Sequence, residues 1–270
     1  MRPRPYEPEH IDMSNPIQRG LHALLDAVGH EYVDASSLRA VDIPARFATL
    51  DGRLGDRALR LVTQVFTGGA IERLTVAAMF TPPTSAGPAA LVSCTVSALP
   101  VRGASLPILG LDYVALGGGL SLVAFDLSPT DVDTWADARN NIVDLSRRAD
   151  IALRPRPRPE FVDQTFSPLA VFARADRDAA AFACELGVTL LTRHARLCEA
   201  PAWLAPTRAR LADARVDQWC AAMRRNKKES RALQRIFGPI AVDYLEDFLF
   251  TREESPARWS TPTLHERVRA

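Results

Sequence analysis

The order of hydrophobic patterns along the 270-residue chain predicts an α+β fold, with helices packed on a mainly antiparallel sheet. A helical pattern comes first, five short apolar runs follow it, and helical patterns dominate the remainder. The apolar runs are separated only by short segments rich in Gly, Pro and Ser. Connections of this length cannot contain crossover helices, so neighbouring strands should run in opposite directions.

The first helix is predicted over residues 16–30, with Ser14 or Asn15 as its cap and Gly29 near its end. The strands are predicted at 58–66, 71–80, 90–99, 108–116, 120–127 and 169–173. A helix from 128–131 to about 147 should carry Pro129 in its first turn. An extended basic loop at 154–159 follows, and the last helices are predicted at 176–198, 206–237 and 240–250.

Composition indicates one domain over residues 1–270, since 47% of the residues are hydrophobic and no linker is apparent. We expect flexible ends at about residues 1–12 and 252–270. The formal net charge of +1 gives no general attraction to nucleic acid or to a membrane surface. The uncharged stretch 74–101 is interrupted by four prolines, which favours two buried strands over a membrane span. The N-terminus lacks the apolar core of a secretory signal, so we expect a cytoplasmic protein.

Motifs for nucleotide cofactors, zinc and serine hydrolases are missing from the sequence, namely G-x-G-x-x-G, G-x-x-x-x-G-K, H-E-x-x-H and G-x-S-x-G. The triple glycine at 117–119 is interpreted as a hairpin turn. The histidines have no metal-ligand spacing and are assigned to the surface or to helix faces. The cysteines also lack such spacing, and we expect reduced, mostly buried thiols at Cys94, Cys184, Cys198 and Cys220.

One strand stands out because small polar residues alternate along it. Ser93, Thr95 and Ser97 should share one face, and the opposite face should carry Val92, Cys94, Val96 and Ala98. A face of small hydroxyl residues leaves room for a ligand. It is also what a sheet face exposed to solvent would look like, and this strand alone does not decide between the two.

Four segments together resemble the ferredoxin-dependent bilin reductases, and the resemblance covers roughly residues 58–250. They are Leu-Pro-Ile-Leu-Gly-Leu-Asp at 106–112, Phe-Asp-Leu-Ser-Pro at 125–129, Pro-Glu-Phe at 159–161 leading to Leu-Ala-Val-Phe at 169–172, and a long block at 219–250 that begins Trp-Cys-Ala-Ala-Met-Arg-Arg-Asn-Lys-Lys. The resemblance implies a three-layer α/β/α sandwich with a central antiparallel β-sheet, which agrees with the fold class predicted above.

The same resemblance implies a function and a source of electrons. Family members reduce biliverdin IXα, a linear tetrapyrrole, to a phytobilin or a dihydrobiliverdin through bilin radicals. They bind no flavin, nicotinamide or metal, so no bound cofactor is expected and the electrons should come singly from reduced ferredoxin. Biliverdin or a related bilin, ferredoxin and a heme oxygenase are the partners that this implies.

Asp112 matches the catalytic aspartate of the family. Adding an electron makes the conjugated bilin more basic, so the reaction needs a proton donor nearby. A carboxyl group in an apolar pocket has a raised pKa and can hold a proton near neutral pH. From the residues alone, Asp112 could instead cap a turn after Gly110.

The resemblance also implies substrate-binding residues. Arg156 and Lys228 align with residues that bind bilin propionates, and Ser121 aligns with a serine of the propionate region. An Arg–carboxylate pair can be bidentate and can therefore orient a substrate. As an alternative, Arg156 is one of three arginines in a solvated Pro-Arg loop.

Departures from the family pattern narrow the expected reaction. Thr75 and Thr95 stand where phycocyanobilin-forming members carry a glutamate and a histidine, and Lys227 stands where a second aspartate occurs. These three positions remain candidates for substrate contact, but Asp112 is left as the one inherited proton donor. The four-electron route to phycocyanobilin is therefore placed in doubt, and a two-electron reduction is favoured.

A basic cluster in the last block could receive acidic ferredoxin, or it could be an ordinary solvated helix face. It comprises Arg224, Arg225, Lys227 and Lys228. Two other functions stay open: a non-catalytic bilin-binding or delivery protein, and a reductase of another linear tetrapyrrole such as a chlorophyll catabolite. The lost family donors are the reason to keep the first of these.

Overall fold

The computed structural model of the chain describes residues 11–35, 38–85, 87–116 and 118–252. The strands in this part of the chain are β1 (Arg39–Ala40), β2 (Thr49–Leu54), β3 (Arg57–Gly68), β4 (Ile71–Thr81), β5 (Ala90–Pro100), β6 (Ala104–Ser105), β7 (Ile108–Leu116), β8 (Gly119–Ser128), β9 (Arg154–Pro155), β10 (Val171–Ala175) and β11 (Ala202–Trp203). Nine of them form one sheet in the order β1-β3-β4-β5-β7-β8-β10-β9, with β2 also paired to β3. Every pairing in this sheet is antiparallel.

Helices cover both faces of the sheet. They are α1 (Pro16–Ala27), α2 (Ala45–Ala48), α3 (Val132–Ala152), α4 (Glu160–Thr165), α5 (Ala180–Glu199), α6 (Pro206–Arg224), α7 (Lys227–Phe237) and α8 (Ile240–Asp243), together with π-helical turns at Val28–Asp34 and Tyr244–Leu249. Helices α1, α3 and α5 pack on one face, and α2, α6, α7 and α8 pack on the other. The predicted α+β class and three-layer α/β/α arrangement are confirmed.

The central strands lie where the sequence predicts them. The hydrophobic runs form β3, β4, β5, β7 and β8, each within a few residues of its predicted ends. Turns with positive φ at Gly69 (55°) and Gly118 (86°) join two of the strand pairs, and such backbone is accessible to glycine at no steric cost. Strands β1 and β2 were not predicted, because their residues are mostly exposed and show no regular alternation.

Alternation along β5 holds for most of the strand. Cys94, Val96 and Ala98 enter the core under α1 and α5, and Ser93, Thr95 and Ser97 face the other way. The prediction is wrong for Val92, which packs against the core on the α6–α8 side. The register of β4 and β5 shifts beside it, between Met79 and Phe80, and such an irregularity reverses the side on which a residue lies.

The long predicted helix at 206–237 is in fact two helices. Helix α6 ends at Arg224, and α7 begins at Lys227 with Asn226 as its N-cap. The Asn226 side chain accepts a hydrogen bond from the Glu229 backbone N–H at 3.4 Å. Continuous helical periodicity concealed this break because both segments have high helix propensity. The break changes the direction of the chain above the sheet.

Other predicted helix boundaries also shift. The first helix is capped by Asn15, as predicted, but the chain continues through π-helical turns to Asp34 and does not stop near Gly29. The third-layer helix α3 begins at Val132 behind an Asp131 cap, so Pro129 precedes the helix and is not in its first turn. The last predicted helix consists of α8 and the π-helical turn Tyr244–Leu249.

The structure describes a few residues at the inner edges of the two ends that were predicted to be flexible. Ile11 pairs with Ala89 and packs on the core. The Arg252 side chain is only 3% exposed and binds Glu72 at 2.6 Å and Asp213 at 3.4 Å, so it is a fixed part of the domain. The ion pairs hold it there, which sequence alone does not indicate. Residues 1–10 and 253–270, which were also predicted to be flexible, lie outside the described residues.

His194 was assigned to a surface or helix face, and this is wrong. Its ring is fully buried, faces Tyr32, and contacts the Pro107 carbonyl oxygen through Nε2 at 3.0 Å. Burial lowers the pKa of His194 to about 4, so the ring is neutral at pH 7. It is a hydrogen-bonded core residue. The four cysteines are free thiols and are buried, as predicted.

A close approach between β2 and α7 fixes the position of α7 above the sheet. The Cα of Gly52 lies directly beneath the C-terminal end of α7. A Cβ atom at this position would meet the Ile236 carbonyl oxygen and would lie 2.6 Å from Cδ1 of Phe237. Glycine is therefore required here for space, and the contact sets how near α7 can come to the strand.

We expect Gly52→Ala to lower the free energy of unfolding by about 1–3 kcal/mol, because the added methyl group must displace helix backbone. Urea unfolding followed by circular dichroism measures this change. Gly87→Ala is the matched control, since a Cβ at Gly87 meets nothing within 4 Å. Equal stability of the two variants would contradict close packing at Gly52.

Candidate functional site

A cavity lies between the sheet and the C-terminal helices, on the face that the small polar residues of β5 occupy. Its floor is formed by side chains of three adjacent strands, Thr95 and Ser97 on β5, Gly110 and Asp112 on β7, and Leu122 and Ala124 on β8. The small size of these residues keeps the space open. Gly110 contributes in particular, since even a Cβ at this position would lie 3.6 Å from the Trp219 ring. The face of β5 that carries Ser93, Thr95 and Ser97 is therefore a cavity wall and not a sheet face exposed to solvent.

Aromatic side chains form much of the remaining wall of the cavity. They are Phe161, Phe166, Phe172, Trp219 and Phe250. Phe166 is the centre of this cluster, with ring centroids 5.9 Å from Trp219 and 6.0 Å from Phe172. Trp219 is 2% exposed, and its indole Nε1 has no hydrogen-bond partner among the described residues. Such a wall suits a flat conjugated ligand.

Asp112 lies at the centre of the floor. In the antiparallel register it is directly opposite Thr95, whose hydroxyl donates to Asp112 Oδ1 at 3.0 Å. Burial raises the pKa of the Asp112 carboxyl to about 6, while the Thr95 hydrogen bond and the Arg156 cation act in the other direction. Asp112 is therefore a strand residue that faces the cavity, and the turn-cap alternative does not apply, because Gly110 and Asp112 are both inside β7.

A second cavity adjoins the first beneath α7. Thr95, Asp112 and Glu229 line both spaces, so these three residues mark the junction. Most of the other residues around the second cavity are apolar; they include Leu59, Leu61, Met79, Leu233 and Ile236. The junction therefore carries one carboxyl from the sheet, Asp112 on β7, and one from the helical layer, Glu229 on α7.

Glu229 is a site residue that the sequence analysis missed. It lies in the first turn of α7, half-buried, on the helix side of the junction. Burial is the main reason that its pKa rises to about 8, and the negative charge of Asp112 adds to the rise. The available signal was the Asn-x-x-Glu spacing from Asn226, which is that of a helix cap. The continuous helix predicted over residues 206–237 left this cap unrecognised, so no site residue was predicted at Glu229.

Two cationic side chains border the first cavity and do not border the apolar second cavity. They are Arg156 and Lys228. The Arg156 guanidinium donates to the Ser121 carbonyl oxygen. Partial burial and the nearby Arg174 cation lower the pKa of Arg156. A bound anion would relieve this crowding of positive charge.

The remaining predicted residues lie at different distances from the cavity. Thr95 lines it. Ser121 lines a neighbouring surface cavity with Arg156 and Arg174, and its hydroxyl donates to the Val114 carbonyl oxygen at 3.2 Å. Thr75 is buried below the site and accepts a hydrogen bond from Arg73 at 3.0 Å. Lys227 is exposed and points away from both cavities.

A second buried carboxyl, Asp126 on β8, supports the aromatic wall. It accepts hydrogen bonds from the Ser167 backbone N–H at 2.8 Å and from the Ser128 hydroxyl at 2.6 Å. Burial raises the pKa of Asp126 against the effect of these bonds. Because Ser167 follows Phe166, this network holds the centre of the aromatic cluster in place. It explains why the Phe-Asp-Leu-Ser-Pro segment contains an acid.

The predicted docking cluster is divided by the break between α6 and α7. Arg225, Lys227 and Lys228 are exposed, whereas Arg224 is half-buried and reaches the Phe250 carbonyl oxygen at 3.5 Å. Across the described ranges, no three His, Cys, Asp or Glu side chains are grouped as metal ligands. No helix in those ranges has the length and apolar content needed to cross a membrane.

Comparisons with known proteins bear on this site. A profile described as ferredoxin-dependent bilin reductase matches residues 26–251. Thirty-five chains of solved structures match the fold. Among them is phytochromobilin synthase from tomato in complex with biliverdin, with a TM-score of 0.63 and 14% sequence identity, covering 92% of this chain and 86% of that one. At this identity the structural match shows the shared fold alone. No curated protein matches the chain.

The two raised carboxyl pKa values predict how stability depends on pH. Asp112 and Glu229 bind protons more tightly in the folded chain than in the unfolded one, where their pKa values are about 4. Stability should therefore be lost as pH rises toward about 6 for Asp112 and about 8 for Glu229. Glu229→Gln has no carboxyl to ionise at this position, so it should not lose the stability that the parent loses up to about pH 8. The Tm of the variant minus that of the parent should therefore rise between pH 4.5 and pH 8.5. Each kcal/mol of stability corresponds to about 2–4 °C in Tm for a chain of this size.

Differential scanning calorimetry at both pH values provides the measurement. Glu246→Gln, at an exposed position of the last π-helical turn, is the control and should show the same Tm difference from the parent at both pH values. If the Glu229→Gln difference also stayed constant with pH, the raised pKa of Glu229 would be disproved.

Proposed function

This chain belongs to the family of ferredoxin-dependent bilin reductases, and we propose that it reduces biliverdin IXα by two electrons to a dihydrobiliverdin or phytobilin. The match over residues 26–251 confirms the family resemblance found in the sequence. As a member, the chain is an oxidoreductase that takes electrons from ferredoxin and acts on a bilin. The substrate, the number of electrons and the residue roles below are our proposal.

One observation carries the proposal, namely a cavity-facing carboxyl with a raised pKa in a space walled by aromatic rings. Electron transfer to a bilin makes its conjugated system more basic, so an acid beside it can complete the step by giving up a proton. With a pKa of about 6, Asp112 is close to the range in which it can both hold and release that proton near neutral pH. Its bond to Thr95 fixes the carboxyl toward the cavity.

The shape and charge of the cavity support a linear tetrapyrrole as the ligand. Aromatic side chains and a floor of small residues border the first cavity, and the apolar second cavity adjoins it. Arg156 and Lys228 provide positive charge in the first cavity, where two propionates could bind. Ser121 is placed beside Arg156, at the outer edge of this region. The tomato phytochromobilin synthase of the same fold was solved in complex with biliverdin, which supports the same ligand class.

Two-electron reduction is favoured by the residues around the floor. Thr95 occupies the position of a family histidine. Its hydroxyl can give up a proton only if it accepts another proton from a neighbouring group. Thr75, at the position of the family glutamate, is buried and bonded to Arg73. Neither threonine is an acid in the range in which a carboxyl or imidazole works. A second two-electron step therefore lacks the donors that the family resemblance associates with it.

Ferredoxin docking is proposed at the exposed positive charges beside the cavity, Arg225, Lys227 and Lys228. These residues belong to the break between α6 and α7 or to the first turn of α7, which also lines the cavity. Docking there would bring the electron donor near the bilin, and complementary charge would speed the encounter. We propose the cytoplasm as the compartment, since free cysteines are typical of reducing surroundings.

Asp112→Asn should reduce bilin turnover by about 10²–10⁴-fold while biliverdin still binds, because the amide keeps the shape but cannot act as the acid. The assay follows the absorbance spectrum anaerobically with biliverdin, ferredoxin and a ferredoxin-reducing system. Asp150→Asn is the control, at an exposed position on the far layer in α3, and should retain full turnover. Full turnover by Asp112→Asn would remove Asp112 from the mechanism without removing the activity.

The same assay decides between an enzyme and a bilin-binding or delivery protein. The threonines at 75 and 95 and the exposed Lys227 are the features that favour the second possibility. A biliverdin spectrum that shifts on binding and then stays unchanged under reduced ferredoxin would overturn the reductase proposal in favour of binding alone.

Arg156→Ala should weaken biliverdin binding by about 10-fold or more, because hydrogen bonds to charged groups contribute about 1.5–3 kcal/mol. Titration of the bilin absorbance gives the dissociation constant. Biliverdin dimethyl ester is the matched control ligand, since it lacks the propionate charges, and its affinity should change little. An equal loss for both ligands would contradict a propionate contact at Arg156.

A further inference from the structure

We propose that Glu229 is a second catalytic acid of this site and protonates the bilin from the helix side of the cavity. This inference rests on the proposed function and adds a residue to it. Two-electron reduction of a carbon–carbon double bond requires two protons as well as two electrons. Asp112 accounts for one proton, and the inherited positions Thr75, Thr95 and Lys227 supply no acid for the other.

Glu229 is placed opposite Asp112 across the junction of the two cavities. Asp112 belongs to β7 in the sheet, and Glu229 belongs to α7 in the layer above it. Both line the first cavity and the second, so both border the junction of the two spaces. A flat ligand extending through this junction would have a carboxyl on the sheet side and another on the helix side. Each acid can then serve a different atom, or a different face, of the same ring.

Backbone geometry explains why Glu229 enters the cavity and Lys227 does not. Successive helical residues are separated by about 100° around the axis, so residues two apart point in nearly opposite directions. In α7, Lys227 is exposed, and Glu229 lies on the inner face. The family carries an acid at the position of Lys227. In this chain the acid on the helix side of the cavity is Glu229, two residues after Lys227. The Asn226 cap fixes where α7 begins and therefore where Glu229 lies.

Hydrogen bonding leaves Glu229 available for chemistry. Asn226 Nδ2 donates to Glu229 Oε2 at 3.1 Å, which holds the carboxyl in position. Among the described residues, no hydrogen-bond donor contacts Oε1. The contact with the capping residue Asn226 uses only one of the two carboxyl oxygens of Glu229, namely Oε2. The second oxygen is therefore free to carry a proton toward a ligand.

The surrounding groups favour a protonated Glu229. Asp112 faces it from β7, and Tyr244 faces it from the last π-helical turn, with a phenol whose pKa is raised by burial. Lys228 lies beside it at the mouth of the first cavity, and Arg73 is bonded to Thr75 beneath the second. Burial and the negative charge of Asp112 raise the pKa of Glu229 to about 8. Near pH 7 the pair thus retains a proton, which is held mainly by Glu229.

The proposed reaction balances in electrons and protons. Two reduced ferredoxins each give one electron to the bilin and are oxidised. Glu229 gives up the proton that it holds near pH 7, and Asp112 passes on a proton that it first takes up from water. In each transfer a carboxyl O–H bond breaks and a bond from that hydrogen to the reduced bilin forms, which gives the dihydro product. Asp112 and Glu229 are left as carboxylates and regain protons from water. No further oxidant or reductant is needed.

We expect Glu229→Gln to bind biliverdin with unchanged affinity and to reduce turnover by about 10²–10⁴-fold, because Gln preserves size and the cap but is not an acid. The reaction should stop after the first transfer, so a one-electron-reduced bilin radical should accumulate and be visible by electron paramagnetic resonance. The parent rate should fall above pH 8, and Glu229→Gln should lose this dependence. Glu229→Asp should restore part of the turnover, and Glu246→Gln serves as the control with parental turnover.

Several outcomes would overturn this role. Parental turnover by Glu229→Gln would do so and leave the proposed function intact. Weaker biliverdin binding by Glu229→Gln with an unchanged kcat would identify a binding role instead of an acid. If Glu229→Gln failed to fold, Glu229→Asp with a parental rate at every pH and no shift in the pH profile would overturn it. A parent protein that binds biliverdin and never reduces it would overturn the proposed function itself, which distinguishes the two failures.

Discussion

The Asp112 carboxylate loses much of its hydration in the folded chain, and its charge is opposed by the low polarity around it. Three parts of the structure create this environment together. The sheet presents small residues on one face, the Phe166 cluster covers one side, and α7 covers the other. Only Thr95 donates a short hydrogen bond to the carboxyl among the described residues. A more generous set of donors would stabilise the anion and make Asp112 a poor acid.

The break at Asn226 links the helical layer to this environment. A single continuous helix from α6 would carry the first turn of α7 away from the sheet. Because Asn226 caps a new helix, the chain turns and brings Glu229 over Asp112. Gly52 then allows the far end of α7 to rest closely on β2. The Asn226 cap, the close contact at Gly52 and the position of the Glu229 carboxyl therefore depend on one another.

Polarity changes along the combined cavity. Arg156 and Lys228 border only the first cavity, the two carboxyls border both cavities, and mostly apolar residues surround the second. A ligand with acidic groups at one part and apolar groups at another would be oriented by this gradient alone. The reacting part would then lie at the junction, where both acids can reach it. Orientation of the substrate and the location of the chemistry would thus have the same electrostatic origin.

The sequence by itself determined the fold class and the central strands, and its resemblance to the bilin reductases made Asp112 the catalytic candidate. Alternating and helical hydrophobic periods report which face of each element is buried, and these are local signals. Tertiary structure alone decided that Glu229 enters the site, that His194 is a core residue and that Arg252 is fixed by Glu72 and Asp213. Local sequence explains Glu229 completely as part of a helix cap. Burial is the main cause of its raised pKa, and the charge of Asp112, more than a hundred residues earlier in the chain, adds to it. Only folding buries Glu229 and brings the two carboxyls together.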